Sequence, residues 1–263
     1  MAISTKPASG MRDYLPTDLA RRNHVVGIVR EVYERYGFVP LETPAIESVE
    51  ILLGKYGEDE KLIYRILHRG EELQRVITGG KAIDADALSD QALRYDLTVP
   101  LARVVAQYGN ELPRFFKRYQ IQPVWRADRP GKGRFREFYQ CDVDITGTES
   151  PIAEAEVCAA ASDVLDRLGF DDYRIALNHR GLLRALVRAA GIDATLEGVS
   201  LQAIDKLDKI GKDGVLAELA QRGIGENAGT QLLALIARPD EEHDDARLAA
   251  LVESVRDDEG RAA

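Results

Sequence analysis

The sequence predicts an α+β chain, a core of sheet and helices reaching about residue 179, followed by a smaller helical domain over 180–263. Three observations carry that prediction. Alternating polar and apolar residues on both sides of an arginine-studded, glycine-containing loop at 126–134 read as two strands. Segments with helical spacing of apolar residues bracket those strands. After Asn178 the composition turns to Ala, Leu and charged residues, interrupted at Gly191, Gly211 and Gly223 to Gly225. With 263 residues, 45% of them hydrophobic, the chain can bury a full core as one large domain or two unequal ones.

Taken in order, Thr17 caps a helix running to about Tyr36. Leu19, Val25, Val26, Val29, Val32, Tyr33 and Tyr36 make one apolar side of it, and Gly37 stops it. Residues 38–42 read as a strand leading to Pro44, and 63–67 as another short strand. The polar stretch 74–90 reads as a long loop with room for a short helix, a length that in a compact domain points to function or mobility. Residues 99–108 are helical and closed by Gly109. Ser150 caps, and Pro151 opens, a helix in which Ile152, Ala155, Cys158, Ala159 and residues 164–168 face the sheet. Residues 173–177 then close the core as a strand, and 241–263 form a strongly charged tail.

The chemistry concentrates at 117–144 (KRYQIQPVWRADRPGKGRFREFYQCDVD). In the second strand, Arg136, Phe138, Gln140, Asp142 and Asp144 fall on one side, and Glu137, Tyr139, Cys141, Val143 and Ile145 on the other, which suits a core. The first strand delivers Arg126 at its end. The turn beyond it carries Asp128, Arg129, Lys132 and Arg134, and Gly131 and Gly133 allow close approach of backbone to a phosphate. Arginine suits that task because its planar fork holds a phosphate or carboxylate in two places and stays charged. Read without Gln140 and Asp144, the same hairpin is a solvated basic face.

These residues carry a resemblance. The run 117–144 resembles motif 2 of class II aminoacyl-tRNA synthetases, specifically that of the histidyl-tRNA synthetases. Residues 93–100 (LRYDLTVP) resemble that family's amino-acid-binding segment in its archaeal and eukaryotic-like wording, and 36–44 (YGFVPLETP) resembles motif 1. Ser9, Gly10, Met11, Arg12 and Asp13 near the start are also similar to the family. The resemblance runs from about Ser9 to the end. It implies a class II synthetase-like mixed, mainly antiparallel sheet flanked by helices, with 1–179 as a partial catalytic core and 180–263 as a helical insertion domain, whole or in part. It further implies ATP-dependent activation of histidine to histidyl-adenylate, transfer to tRNA(His), use of Mg2+, and a homodimer through the motif 1 region.

Residue by residue, the resemblance implies that Arg126 is catalytic, contacting the α-phosphate of ATP and the substrate carboxylate. Asp128 and Arg134 would meet adenine and the distal phosphates, and Phe138 would stack on adenine. Asp96, Thr98 and Gln140 would bind the α-amino group of histidine, a set of acceptors suited to an ammonium, and Asp144 would bind the imidazole. No protein ligands for a metal are implied. Without the resemblance, Asp96 beside Arg94 reads as a surface ion pair, Thr98 as a helix cap and Phe138 as core. Residues 203–210 (AIDKLDKI) resemble the insertion domain that reaches toward the tRNA acceptor arm, although Lys206 and Lys209 read more simply as parts of an amphipathic helix.

Full-length relatives continue with an Arg-Gly-Leu-Asp-Tyr-Tyr segment, motif 3 and an anticodon-binding domain, none of which occurs in this sequence. The resemblance therefore implies a fragment with little activity alone. Two other readings stand beside it: a regulatory subunit of ATP phosphoribosyltransferase that binds without aminoacylating, and a non-catalytic dimerisation or RNA-binding module. The formal charge of -9 argues against a general nucleic-acid coat while leaving room for a local basic patch. Two cysteines, Cys141 in an expected core strand and Cys158 in a helix, fit a reducing cytosol. His24, His68, His179 and His243 have no metal-ligand spacing. No apolar run approaches a membrane span and residues 1–9 lack a signal-peptide core, so a soluble cytoplasmic protein is expected.

Overall fold

The computed structural model describes residues 4–54, 63–79, 83–177 and 179–236. Gly80, Asn178, His243 and the charged tail lie outside the described residues. The chain divides into two compact units, Met1–Ile175 and Ala176–Ala263.

In chain order the first unit contains α1 (Pro16–Arg35), β1 (Val39–Pro40), β2 (Ile46–Ser48), α2 (Val49–Leu53), β3 (Tyr64–Ile66), α3 (Gly70–Thr78), α4 (Ala85–Leu88), β4 (Gln91–Leu93), α5 (Thr98–Tyr108), β5 (Phe116–Trp125), β6 (Glu137–Thr146) and α6 (Pro151–Arg167). Its strands make two sheets. In one, β5 lies between β1, to which it is parallel, and β6, to which it is antiparallel. In the other, β4 lies between β2 and β3, antiparallel to both. Helices α1 and α6 cover one face of the first sheet: Val29, Val32 and Tyr33 meet Ala160 and Val164 there, with Phe38 and Tyr119 between them and Val143 and Ile145 packed alongside. The second sheet packs Ala92 and Ile63 against Val49, Leu52 and Tyr95.

Local chemistry explains where these elements begin and end. Gly37 takes φ 78°, which lets Phe38 donate its N–H back to Tyr33 O and turns the chain from α1 into β1. Ser150 caps α6 by accepting from Ile152 N–H, with Pro151 at the first turn.

Several expectations are corrected. Thr17 does not cap α1; the helix begins one residue earlier at Pro16, whose fixed φ suits a first helical position, and no side chain caps it. The strand expected at 38–42 keeps only two residues. The stretch 74–90 is not one loop, because α3 runs through to Thr78 and α4 follows with Asp84 as its cap. On α6 the buried positions are Ala160 and Val164, and Ile152 is 74% exposed, since helical spacing puts Val157, Ala160 and Val164 on one inward stripe and Ile152 off it. Residues 173–177 alternate as a strand should but pair with no strand among the described residues, and Tyr173 instead donates its hydroxyl to Ser162 O and Asp166. Along β6, Tyr139 is 40% exposed and Cys141 is exposed rather than core.

The second unit is helical: α7 (Arg180–Ala189), a short turn at Ala194–Leu196, α8 (Glu197–Ile204), α9 (Leu207–Gln221) and α10 (Glu226–Ile236). Leu186, Val187, Ala203, Val215, Leu219 and Leu232 are among the residues of its own closed core. α9 bends at Gly211, whose φ of 69° no other residue type adopts readily. No helix among the described residues is long and apolar enough to cross a membrane.

Candidate active site

The site is built on the hairpin of β5 and β6. Directly opposed residues of an antiparallel pair point to the same face. The register sets Arg118 opposite Asp144, Gln120 opposite Asp142, Gln122 opposite Gln140 and Val124 opposite Phe138. One face of the hairpin is therefore polar along most of its length, while Tyr119, Ile121, Val143 and Ile145 on the other face join the core under α1 and α6. The sequence reading found the β6 half of the polar face and missed the β5 half, Arg118, Gln120 and Gln122. The signal was present, because the polar residues of KRYQIQ alternate with Tyr119 and Ile121.

Arg118 and Gln120 are both 0% exposed, and they start a buried hydrogen-bond network. Arg118 Nη1 donates to Gln120 Oε1 at 3.1 Å. Gln120 Nε2 donates to Thr43 Oγ1 at 2.9 Å and to Gln122 Oε1 at 2.6 Å. Arg94, 1% exposed, closes the network by donating to Gln122 Oε1 at 3.0 Å, to Thr43 O at 2.5 Å and to Pro123 O at 3.1 and 3.0 Å. Arg94 is thus a buried tie between the turn after β1, the end of β4 and the middle of β5, and the alternative of a surface ion pair with Asp96 is corrected. A buried cation needs this many acceptors, because each N–H removed from water without a partner is costly.

The segment 95–98 lies against the polar face. Arg126 Nε donates to Tyr95 O at 2.9 Å, and Arg118 Nη2 donates to Leu97 O at 3.1 Å. Asp96 accepts the N–H of Val99 at 3.2 Å, so Asp96 rather than Thr98 serves the first turn of α5. Asp96 also lies close enough to Arg118 and Asp142 to act on their charges. Thr98, the first residue of α5, is exposed and stands outside these contacts.

At the hairpin's loop end the Arg126 guanidinium lies over the Phe138 ring, 5.2 Å from its centroid. Arg126 N–H donates to Arg136 O at 2.9 Å, which carries the ladder past the end of β5. Arg134 pairs with Asp128 at 2.9 Å, with the Arg134 side chain 67% exposed. Arg136 ties the loop to the N-terminal segment: its Nε donates to Asp128 O at 2.9 Å and its backbone N–H to Gly10 O at 2.7 Å. A row of cation–π contacts continues that strap, with Arg12 over Tyr14 and Phe135, and Arg22 over Tyr14 and Tyr139.

The structure accordingly brings Arg126 to Phe138 and Asp128 to Arg134, and it puts Phe138, Gln140 and Asp144 on one strand face. Burial raises the carboxyls of Asp142 and Asp144 above the ordinary range, with Arg118 pulling both back. Burial lowers Arg118, opposed by Asp144, Asp142 and Asp96. Asp144 Oδ2 is 2.7 Å from Arg118 Nη2, an ion-pair distance, yet it makes no aligned hydrogen bond. Gln140 Oε1 is buried without a hydrogen-bond partner. Gln140 Oε1 is thus an acceptor set up for a donor that no described residue supplies, beside an Asp144 carboxylate held in an ion pair by Arg118. No cluster of three or more His, Cys, Asp or Glu side chains among the described residues is arranged to hold a metal ion.

The family described as histidyl-tRNA synthetase matches residues 10–259. A histidine--tRNA ligase of Gloeobacter violaceus is 46% identical over 243 residues, 87% of this chain and 50% of that protein. Among solved structures, a histidyl-tRNA synthetase from Nostoc superposes with a TM-score of 0.78 at 28% identity, covering 99% of this chain and 56% of that one. An ATP phosphoribosyltransferase regulatory subunit/histidyl-tRNA synthetase from Bacillus halodurans has a TM-score of 0.75 at 20% identity, a likeness of fold alone. The chain spans about half the length of the curated relatives it matches.

Proposed function

Because the chain belongs to the histidyl-tRNA synthetase family, we propose that the polar face of its hairpin is the histidine- and ATP-binding half of a histidine-activating site. The observation that carries this reading is the buried Gln140 Oε1, an acceptor without a donor, on the same strand face as the Asp144 carboxylate that Arg118 holds. A bound histidine has the complement: an ammonium for Gln140 and Asp96, with Thr98 at the rim, and an imidazole N–H for Asp144.

In that reading the histidine carboxylate attacks the α-phosphorus of ATP and pyrophosphate leaves, giving histidyl-adenylate. A ribose hydroxyl at the tRNA(His) terminus then attacks the adenylate carbonyl and AMP leaves. Negative charge grows on the phosphate in the first step, and Arg126 is the cation oriented to meet it. Its Nε is committed to Tyr95 O and its plane lies over Phe138, so little reorganisation is needed when charge develops. Phe138 offers a ring for adenine, and Asp128 with Arg134 forms the loop's contribution to adenine and the distal phosphates. Mg2+ would arrive with the ATP phosphates rather than in a protein cage, the manner typical of that ion. Helical unit 176–263 is proposed to be the insertion domain that approaches tRNA. There Lys206 is engaged internally, pairing with Glu218 at 2.7 Å. Dimerisation through the motif 1 region is supported by the exposed Val39 within it, and Leu15, Leu19 and Val25, before and on α1, are exposed apolar residues as well.

Calorimetric titration of the chain with histidine and with ATP–Mg2+ tests the site, and histidine-dependent ATP–pyrophosphate exchange tests the chemistry. Both ligands are expected to bind, with little exchange by these 263 residues alone. Absence of histidine binding by the folded chain would sink the reading. Histidine binding without ATP binding would point to the regulatory-subunit alternative.

A further inference from the structure

We infer that Arg118 is a positioning residue of the amino-acid pocket, holding Asp144 on β6 and the segment leading into α5 in one fixed relation. The inference rests on the proposed role of Asp144 as the group that receives the imidazole. Arg118 is the residue that reaches both sides of the pocket: Nη2 is 2.7 Å from Asp144 Oδ2 and donates to Leu97 O at 3.1 Å. Leu97 separates Asp96 from Thr98, so the same guanidinium holds the backbone that presents the ammonium-binding residues. Its other terminal nitrogen is anchored on Gln120, whose amide is locked by Thr43 and Gln122. Arg118 Nε is buried without a partner, so the fork is fixed through its two terminal nitrogens, on Gln120 and Leu97, and the orientation they set is passed to Asp144.

The pairing also governs the charge of the pocket. Asp144 faces Arg118 from β5 and lies near Asp142 on its own strand, with Asp96 contributed by the segment before α5 and Arg126 at the end of β5. Burial opposes the ionisation of Asp144, burial with Asp144 and Asp96 opposes that of Asp142, and Arg118, wholly buried beside them, pulls both carboxyls back. An ionised Asp144 accepts from an imidazole N–H, whereas a protonated one loses that advantage. Arg118 therefore acts on histidine through Asp144 and has no direct part in binding ATP.

Arg118→Lys keeps a buried charge opposite Asp144 but cannot hold Asp144, Leu97 and Gln120 at once. Arg118→Met removes the charge. Histidine and ATP–Mg2+ are titrated separately into the unaltered chain and both variants from pH 6 to 9, with circular dichroism as the control for folding. The expected result is histidine binding weakened about tenfold or more in Arg118→Lys, with ATP binding within about twofold. In Arg118→Met the ratio of its histidine affinity to that of the unaltered chain should recover as pH rises, because Asp144 without its cation ionises later. Taking the ratio cancels the titration of free histidine. Equal loss of both ligands in Arg118→Lys, or unchanged histidine binding in it, would overturn the inference even if Arg118→Met fails to fold. Should the unaltered chain bind no histidine, the proposed function falls and this inference with it; binding by the unaltered chain with no response to Arg118→Lys overturns this inference alone.

Discussion

At the scale of single residues the polar face mixes groups that support the fold with groups that wait for a ligand, and the two kinds can be told apart by mutation. Gln140 Oε1 is buried with no partner in the ligand-free protein, so removing it takes no hydrogen bond from the fold. Gln140→Ala should leave the melting temperature within a degree or two, weaken histidine about tenfold or more through a lost bond to a charged ammonium, and leave ATP nearly unchanged. Comparable losses of both ligands in calorimetric titrations would refute the role. Asp142 is a different case. Burial, with Asp144 and Asp96 nearby, raises its carboxyl above the ordinary range despite Arg118 and Arg126. A carboxyl whose folded pKa exceeds its unfolded value binds protons more readily in the folded state, so its ionisation costs stability once pH has risen through the folded value. Asp142→Asn should therefore raise the melting temperature at pH 7, and the gain should disappear as pH falls to the ordinary carboxylate range. A gain that grows with acidification, followed by thermal denaturation across pH 3.5 to 7, would contradict this origin.

At the scale of elements, what could be read from the sequence was what local chemistry determines. Gly37 after α1 and Ser150 with Pro151 before α6 each act within a few residues and have the expected consequence, whereas the alternation of β6 packs Val143 and Ile145 against the helices but leaves Tyr139 and Cys141 exposed. Partners distant in sequence were not legible. Residues 173–177 alternate well but pair with no strand among the described residues, and the polar half of β5 acquires meaning only when the register sets it opposite β6. Arg94 looked like a neighbour of Asp96 because the sequence says nothing of Thr43 and Pro123 closing around it. The hairpin depends on its exit as much as on its loop. Gly147 follows β6 at φ 89°, and a Cβ there would sit 1.8 Å from Arg114 O, against backbone that cannot swing aside. Gly147→Ala should destabilise the chain by at least about 2 kcal/mol, combining the left-handed penalty with that clash. Chemical denaturation would register it, and an unchanged midpoint would mean that the turn relaxes freely. Gly10→Ala, with φ 79° and a Cβ 2.7 Å from the Arg136 side chain, should act more mildly, because that side chain can move. Its effect should fall on ATP more than on histidine, since Arg136 braces the loop at Asp128.

For the whole molecule the relevant fact is that the two compact units bury separate cores. The cluster of the helical unit is drawn entirely from residues between Leu182 and Ile236, and it includes Val187, Ala203, Val215 and Leu232 at full burial. A unit of this size can in principle fold alone when its core is its own. Short connections between successive helices favour rapid local folding, because contacts between neighbouring elements have little loop entropy to overcome. In the sequence the change to Ala, Leu and charge comes after Asn178, and Gly191, Gly211 and Gly223 each interrupt or follow a helix of this unit. Its proposed identity as an insertion domain makes the same demand, since a domain inserted in a larger enzyme should close on itself. A polypeptide of residues 176–263 should accordingly give a helical circular dichroism spectrum and a cooperative thermal transition, within the marginal stability normal for a domain of its length. A non-cooperative melt, or a coil spectrum at 10 °C, would show that the helices need the first unit to assemble.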